Sequence, residues 1–292
     1  MTVDEHVGLS RFTTIGTGGA ARYFAKPSSL AELTELLAWA SGEGLPVVPI
    51  GLGSNLLVHD AGVDALVLRL QGELAEIGVE GDVLVAGGGA ANAVCLHRAR
   101  GAGLGGFEFA SAIPGTVGGG VRMNAGAYGV EFRDILIDAL VVGPGGARTL
   151  GPAELDLSYR HSSLAPGEVV ARARLRLEPR PAQEVKARVA ELLARRKASQ
   201  PTTKRTFGSV FKNPSAEQGA GRLIDECGLK GHRIGGAVIS ERHANFIENA
   251  GGAASADAVA LMAEARRRVH ERFGVVLEHE VRFLGPLELP EL

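Results

Sequence analysis

The spacing of apolar positions predicts a chain in which helices and strands alternate. Ser29-Leu30-Ala31-Glu32 has the form of a capping box, where a hydroxyl and a carboxylate satisfy the orphan amides of a helix start. Leu33, Leu36, Leu37 and Ala40 then share one helical face, and Gly42 or Gly44 can end the turn. An apolar run at 46–50 predicts a short buried strand leading into Gly51-Leu52-Gly53-Ser54-Asn55, and a second strand is predicted at 65–68. Strands at 83–86, about 135–142 and 168–177 follow, with a helix over 90–100. Val185, Val189 and Leu192 or Leu193 form the stripe of a helix over 183–198. A last helix spans 255–273, with Leu261, Met262, Ala265, Val269 and Phe273 inward, Ser255 as its cap and Gly274 as its stop. No repeat, low-complexity tract or long linker interrupts this pattern. The chain reads as three α/β pieces, 1–72, 73–180 and 181–292.

Composition sharpens the picture at one point. The 292 residues include 41 glycines, about twice the usual share of roughly 7%. Ten of them fall within residues 101–129, so open backbone is demanded locally. Hydrophobic residues at 45% and charged residues at 22% exclude collagen-like and disordered classes. With 31 Lys+Arg against 33 Asp+Glu, the net charge of −2 gives no basic footprint for nucleic acid. Cys95 and Cys227 lie far apart and outside any C-x-x-C, and are expected to be reduced, buried thiols with no metal. The N-terminus lacks the charged-then-apolar pattern of a signal peptide, and no apolar stretch reaches the roughly 18–20 residues that span a bilayer. A cytoplasmic protein, probing neither membrane nor nucleic acid, is the expectation.

Two glycine-rich turns follow predicted strands, at 51–55 and at Ile113-Pro114-Gly115-Thr116-Val117-Gly118-Gly119-Gly120. Such backbone serves either tight packing or the close approach of amides to a phosphate, with Ser54, Asn55 and Thr116 as added donors. Absences narrow the choice. There is no Gly-Lys dipeptide for a Walker A loop, the G-x-G at 51–53 is followed by Leu56 where a Rossmann motif needs glycine, and neither G-x-S-x-G nor H-E-x-x-H occurs. A non-Rossmann dinucleotide site remains.

The run from Gly106 to Gly120, with Met123-Asn124-Ala125-Gly126-Ala127-Tyr128-Gly129, closely resembles the flavin-binding signature of the UDP-N-acetylenolpyruvoylglucosamine reductase family, within the vanillyl-alcohol-oxidase-like flavoproteins. Further matches are Gly51–Leu57, Ser158-Tyr159-Arg160-His161-Ser162, Gly208-Ser209-Val210-Phe211-Lys212-Asn213-Pro214 and Leu277–Phe283, in the family's order over roughly residues 13–284. The resemblance implies an α+β architecture, with two α/β subdomains gripping FAD and a C-terminal α/β domain carrying substrate groups. It also implies that NADPH reduces bound FAD, and that hydride then passes from flavin N5 to the vinyl carbon of an enolpyruvyl ether while C2 takes a proton.

The same resemblance assigns residues. Flavin contacts fall on Gly51, Gly53, Ser54, Asn55, Leu56, Ser111, Pro114, Gly115, Thr116, Gly118, Gly119, Asn124 and Gly126. Arg160 matches the arginine on the substrate carboxylate, whose planar fork suits that group. Glu280 matches a second group on that side, useful there only when protonated, and competes with Glu278 two residues away. Ser209 matches the proton donor, where position rather than acidity must drive the transfer. Tyr159, Lys197, Lys212, Asn213 and His243 coincide with positions that touch the substrate or the nicotinamide nucleotide. Six cationic residues and no acidic one lie between Arg195 and Lys212, which suits a diphosphate. Gly120 stands where the family more usually has alanine, a small change expected to be tolerated. The 37 positions from Arg160 to Lys197 leave little beyond one strand and one helix, the mark of the subtype lacking a substrate-covering loop. Rival readings are a sugar or hydroxy-acid oxidase of the same superfamily, and a non-catalytic nucleotide or RNA binder. A monomer is expected.

Overall fold

Ser29 Oγ accepts the Glu32 amide at 3.1 Å and opens helix α1, Leu30–Gly42. The Glu32 carboxylate reaches back to Ser28, taking its amide and hydroxyl at 2.8 and 3.0 Å. Hydrogen bonding to Ser28, the backbone amide first, holds the Glu32 carboxyl below its ordinary range. Leu33, Leu36, Leu37 and Ala40 are the buried face of this helix, as their spacing requires.

The computed structural model describes residues 2–215 and 217–292. Contacts divide the chain into two units. Unit 1 holds the chain up to Glu5, Tyr23–Leu52 and Ala65–Arg196; unit 2 holds His6–Arg22, Gly53–Asp64 and Lys197–Leu292. This partition differs from the three consecutive pieces read from the sequence, because the cores are shared by distant segments. In unit 1 the α1 face packs with Leu66 and Leu68 of the first piece and with Val142, Val169 and Ala171 of the second. In unit 2, Ile15 and Leu57 join one cluster with Phe207, Phe211, Leu261 and Val281.

Unit 1 contains an antiparallel five-stranded sheet ordered Gly146–Leu150, Leu136–Gly143, Val169–Arg176, Val83–Gly87, Ile77–Glu80. Helices α2 (Asn92–Gly101), α3 (Val117–Arg122), α4 (Phe132–Ile135) and most of α5 (Ala182–Ser199), up to Arg196, complete it. Pro49 and its neighbours pair in parallel with Leu66, Val67 and Leu68. The main core gathers Leu84, Cys95, Val117, Val121, Leu175 and Val185 around three phenylalanines, Phe107, Phe109 and Phe132. Burial pushes the Cys95 thiol up to about 12.

Unit 2 is built on helices α6 (Ala220–Glu226) and α7 (Ser255–Phe273) and a three-stranded antiparallel sheet, Arg233–Ile234, Ala237–Ile239, Ile247–Asn249. A parallel pair joins Leu56–Val58 to Arg282–Leu284. Gly274 ends α7 at φ +68, as expected for a left-handed cap. The start of α7 departs from expectation. Ser255 is already helical, and its hydroxyl donates to Thr17 Oγ1 at 2.7 Å. The orphan amides of Ser255 and Ala256 are taken by the Asp60 carboxylate at 2.8 and 3.0 Å. A residue 195 positions away therefore does the capping.

Candidate active site

In unit 1 the backbone of one glycine loop is pressed against a side chain of the other. A Cβ at Gly51 would stand 2.6 Å from Thr116 Oγ1, so the 51 loop and the 116 loop touch where only a hydrogen fits. Thr116 Oγ1 also accepts the Gly119 amide at 3.4 Å as the side-chain cap of α3. Beneath that helix, the Gly118 amide donates to the Gly88 carbonyl at 2.8 Å, and the Val117 amide to Ala90 at 2.9 Å. Buried Asn92 ties the loop from below: its amide donates to the Gly115 carbonyl at 3.0 Å and its Nδ2 to Ile113 at 3.2 Å. Pro114 and Gly119 are left exposed on the outer surface of this platform.

Two buried polar atoms here lack a hydrogen-bond partner, Ser111 Oγ and Asn92 Oδ1. Leaving such an atom unmatched costs about 1–3 kcal/mol, so a polar ligand atom is the natural complement. Ser111 is one of the residues assigned to the flavin, and Pro114 and Gly119 of the same stretch are exposed. These residues fit FAD.

Next to the platform is a four-residue turn that presents Arg160. Ser158 and His161 exchange backbone hydrogen bonds at 3.3 and 3.0 Å, leaving Tyr159 and Arg160 at the bend. The Arg160 guanidinium donates from Nη2 to the Gly126 carbonyl at 3.2 Å and lies over the Tyr159 ring, 4.8 Å from its centroid. Arg160 is half-buried and Tyr159 is 43% exposed. Asn124, assigned to the flavin by resemblance, is fully buried, and its side chain is engaged within the protein. Its Oδ1 accepts the Arg133 amide at 2.9 Å, while Nδ2 donates to Glu131 Oε2 at 2.8 Å and to the Ser158 carbonyl at 2.9 Å.

The other assigned residues lie in unit 2, where a short ladder holds Ser209 and Glu280 together. The Glu280 amide donates to the Val210 carbonyl at 2.8 Å, and the Val210 amide to Asn245 at 2.9 Å. Glu280 is thus paired with the residue next to Ser209. The loop at Gly53–Leu56 joins the same place: Asn55 Nδ2 donates to the Glu280 carbonyl at 3.2 Å, and Arg282 returns a bond to Asn55 at 2.9 Å. Gly208, at φ +82, brings the chain so near that a Cβ there would stand 3.2 Å from the Ser54 carbonyl. Ser209 and Glu280 are both half-buried. Glu278, the competitor read from the sequence, is exposed and pairs with Lys212 Nζ at 3.2 Å. That bond engages Lys212.

Asn213 accepts the first amide of α6, from Ala220, at 3.1 Å. His243 packs its ring edge-on to Phe246 at 5.0 Å, and a Cβ at Gly221 would meet it at 2.7 Å. Burial, then the nearby Lys230 charge, pushes the His243 imidazole below its ordinary range, so it is neutral at pH 7. Exposed Lys197 borders a cavity of about 540 Å3 together with Lys204, Arg233 and Arg242, opposed by Glu241 and Glu248. The sequence reading passed over Asn92, Glu131 and Asn245. Asn92 opens α2 and could have been noticed as a polar residue at a helix start; nothing local signals the other two.

Known proteins settle the family. Residues 21–149 match the FAD binding domain family, and residues 200–284 match the C-terminal domain of UDP-N-acetylenolpyruvoylglucosamine reductase. The chain is 45% identical over 279 residues to UDP-N-acetylenolpyruvoylglucosamine reductase 2 of Symbiobacterium thermophilum, covering 95% of this chain and 90% of that one. It belongs to the UDP-N-acetylenolpyruvoylglucosamine reductase family. The Acidiphilium cryptum reductase is 45% identical over 280 residues, covering 96% of this chain and 90% of that one. The crystal structure of the Thermus caldophilus reductase superposes with a TM-score of 0.85 at 40% identity, covering 98% of this chain and 100% of that one. Family membership makes the chain a FAD-dependent oxidoreductase of peptidoglycan precursor synthesis, with NADPH as reductant. Among the described residues no helix is long and apolar enough to cross a membrane.

Proposed function

We propose that the reduction of UDP-N-acetylenolpyruvoylglucosamine to UDP-N-acetylmuramate is divided in this chain among Arg160, Ser209 and Glu280. When bound, FAD supplies the hydride that adds to the vinyl carbon of the substrate. Charge then builds through C2 onto the substrate carboxylate. Arg160 pairs with that carboxylate; its fixed fork and permanent charge make the interaction stronger as charge accumulates. Glu280, as the neutral acid, donates a hydrogen bond to the same developing charge. Ser209 gives its hydroxyl proton to C2, where a strongly basic centre within about 3 Å compensates for a weak acid.

The observation that supports this division most is the Glu280–Val210 backbone bond of 2.8 Å, which sets Glu280 beside the residue following Ser209. The exposed pairing of Glu278 with Lys212 favours Glu280 over its neighbour. Ser54, Asn55, Gly115, Thr116 and Ser111 hold the flavin in this reading, with 1–72 and 73–180 acting together on FAD and 181–292 serving the substrate. In the same reading Tyr159, Lys197, Lys212, Asn213 and His243 touch the substrate or the nicotinamide nucleotide, and the basic cavity by Lys197 takes phosphates. The stretch after Arg160 supports the subtype without a covering loop: Val169–Arg176, Glu178–Pro179 and α5 fill it. The reading includes a cytoplasmic monomer, which sedimentation of the purified holoprotein tests.

Ser209→Ala separates proton donation from nucleotide binding. Reduction of the bound flavin by NADPH should stay within a few-fold of wild type, while re-oxidation by the enolpyruvyl nucleotide slows by orders of magnitude. Equal slowing of both half-reactions would assign Ser209 to the scaffold or the nicotinamide instead.

A further inference from the structure

Among the described residues, five non-glycine positions have positive φ, and four of them, Asn124, Tyr128, Asp156 and Arg160, lie between 124 and 160. Arg160 itself sits at φ +55. A side chain with a Cβ avoids that region, and the strain persists only where surrounding structure holds it. Two anchors do so here. On one side of the bend the Ser158 carbonyl accepts Asn124 Nδ2 at 2.9 Å. On the other side Ser162 Oγ donates to the Arg122 carbonyl at 2.6 Å. One anchor is the last residue of α3 and the other lies two residues beyond it, so the arginine's turn is fastened to the end of that helix.

Asn124 can serve as an anchor because it is fixed in its turn. Its own φ is +38, which asparagine tolerates better than most residues. The Glu131 carboxylate takes Asn124 Nδ2 at 2.8 Å and pairs with Arg133 Nε at 2.9 Å, while the Arg133 amide bonds Asn124 Oδ1 at 2.9 Å. The amide plane is therefore defined from both ends. The charge-assisted bond that Asn124 donates to Glu131 leaves the second Nδ2 hydrogen aimed at Ser158.

We propose that Glu131 and Asn124 are positioning residues for Arg160: they hold the left-handed turn 158–161 in the conformation that presents the guanidinium to the substrate carboxylate. The consequence for catalysis rests on the reading of Arg160 given above; the consequence for the turn does not. Glu131 is not among the residues assigned to the flavin, the substrate or the nicotinamide nucleotide. Its removal frees Asn124 to rotate, releases the Ser158 carbonyl and lets Arg160 relax from its strained backbone.

Two measurements on the FAD-loaded full chain test this. Amide hydrogen exchange of 156–163 should accelerate at least tenfold in Glu131→Ala and Asn124→Ala, with the strands Leu136–Gly143 and Val169–Arg176 unchanged; unaltered protection of the turn overturns the proposal. Anaerobic stopped-flow then reads function. In Glu131→Ala the KM for the enolpyruvyl nucleotide should rise tenfold or more, while flavin reduction by NADPH stays within twofold. Glu131→Gln, which keeps an acceptor for Asn124, should recover most of that loss. Equal slowing of both half-reactions, or no recovery by glutamine, overturns the positioning role. A wild-type enzyme that the enolpyruvyl nucleotide fails to re-oxidise would sink the reading of Arg160, and the exchange result would still judge the turn.

Discussion

Gly120 lies in α3, one turn from Thr116, and the space its side chain would need is already filled. A Cβ there would stand 2.3 Å from Phe132 Cζ and 2.4 Å from Cε2, more than 1 Å inside the ordinary carbon contact of about 3.5–4.0 Å. The ring cannot tilt freely. It meets Phe107 and Phe109 edge-on, with centroids 5.8 and 5.9 Å away, and Phe132 is 0% exposed. Overpacking of this kind costs about 1–3 kcal/mol, and disturbing each aromatic pair adds about 0.5–1.5 kcal/mol. Alanine's better helix propensity returns about 1 kcal/mol. With two aromatic pairs disturbed, Gly120→Ala should therefore destabilise unit 1 by about 3 kcal/mol. The assay is equilibrium urea unfolding of the FAD-loaded protein, followed by circular dichroism and by release of flavin. Adding Phe132→Leu makes room for the methyl, so the double variant should be less unstable than the sum of the singles by about 1 kcal/mol or more. A Gly120→Ala protein as stable as wild type, or strict additivity, would refute the packing argument.

Other expected outcomes follow from the same geometry. Asn245 is 4% exposed and clamps Phe211 from both sides, accepting its amide at 2.9 Å and donating to its carbonyl at 2.8 Å; Asn245→Ala should cost about 2–4 kcal/mol in urea unfolding, since two buried backbone groups lose their partners. The His243 pKa is depressed in the folded state, so the unfolded chain binds more protons just below pH 6.5. Stability should hold above that pH and fall as pH drops through the window beneath it, and His243→Phe should remove that part of the thermal-melting pH dependence. Cys95, with its thiol pushed up to about 12, should resist a disulfide reagent at pH 8 in the native protein and react at once in denaturant. Half-buried Cys227 should react in the native state, more slowly than a free thiol because burial raises its pKa as well.

The helices were legible because periodicity and capping are local. α1, α5 and α7 fall within a residue or so of the ranges their apolar stripes predict. Strands Asp4–Gly8 and Ala20–Ala25 escaped notice: the first buries only Val7, and the second mixes buried and exposed positions without clean alternation. The division into units was not legible, since Ile15 and Leu57 find their core among residues beyond 200. Glycines told where backbone is crowded, but crowded against what is a tertiary fact. Gly51 is pressed against Thr116, Gly120 against Phe132 and Gly53, at φ +69, against the Phe12 carbonyl. These three glycines serve close packing, while Gly119 stays exposed. Asn124 carried the family signature, yet its role as a strut depends on Glu131 and Ser158, whose partnership no spacing rule announces.

The central claim is that electrons enter from NADPH and leave only to the enolpyruvyl nucleotide. Its most direct measurement is the flavin absorbance of the purified protein without oxygen. NADPH should bleach it, and stoichiometric UDP-N-acetylenolpyruvoylglucosamine should restore it with formation of UDP-N-acetylmuramate. A protein that carries no flavin, or a reduced flavin that this nucleotide leaves bleached, would contradict the account.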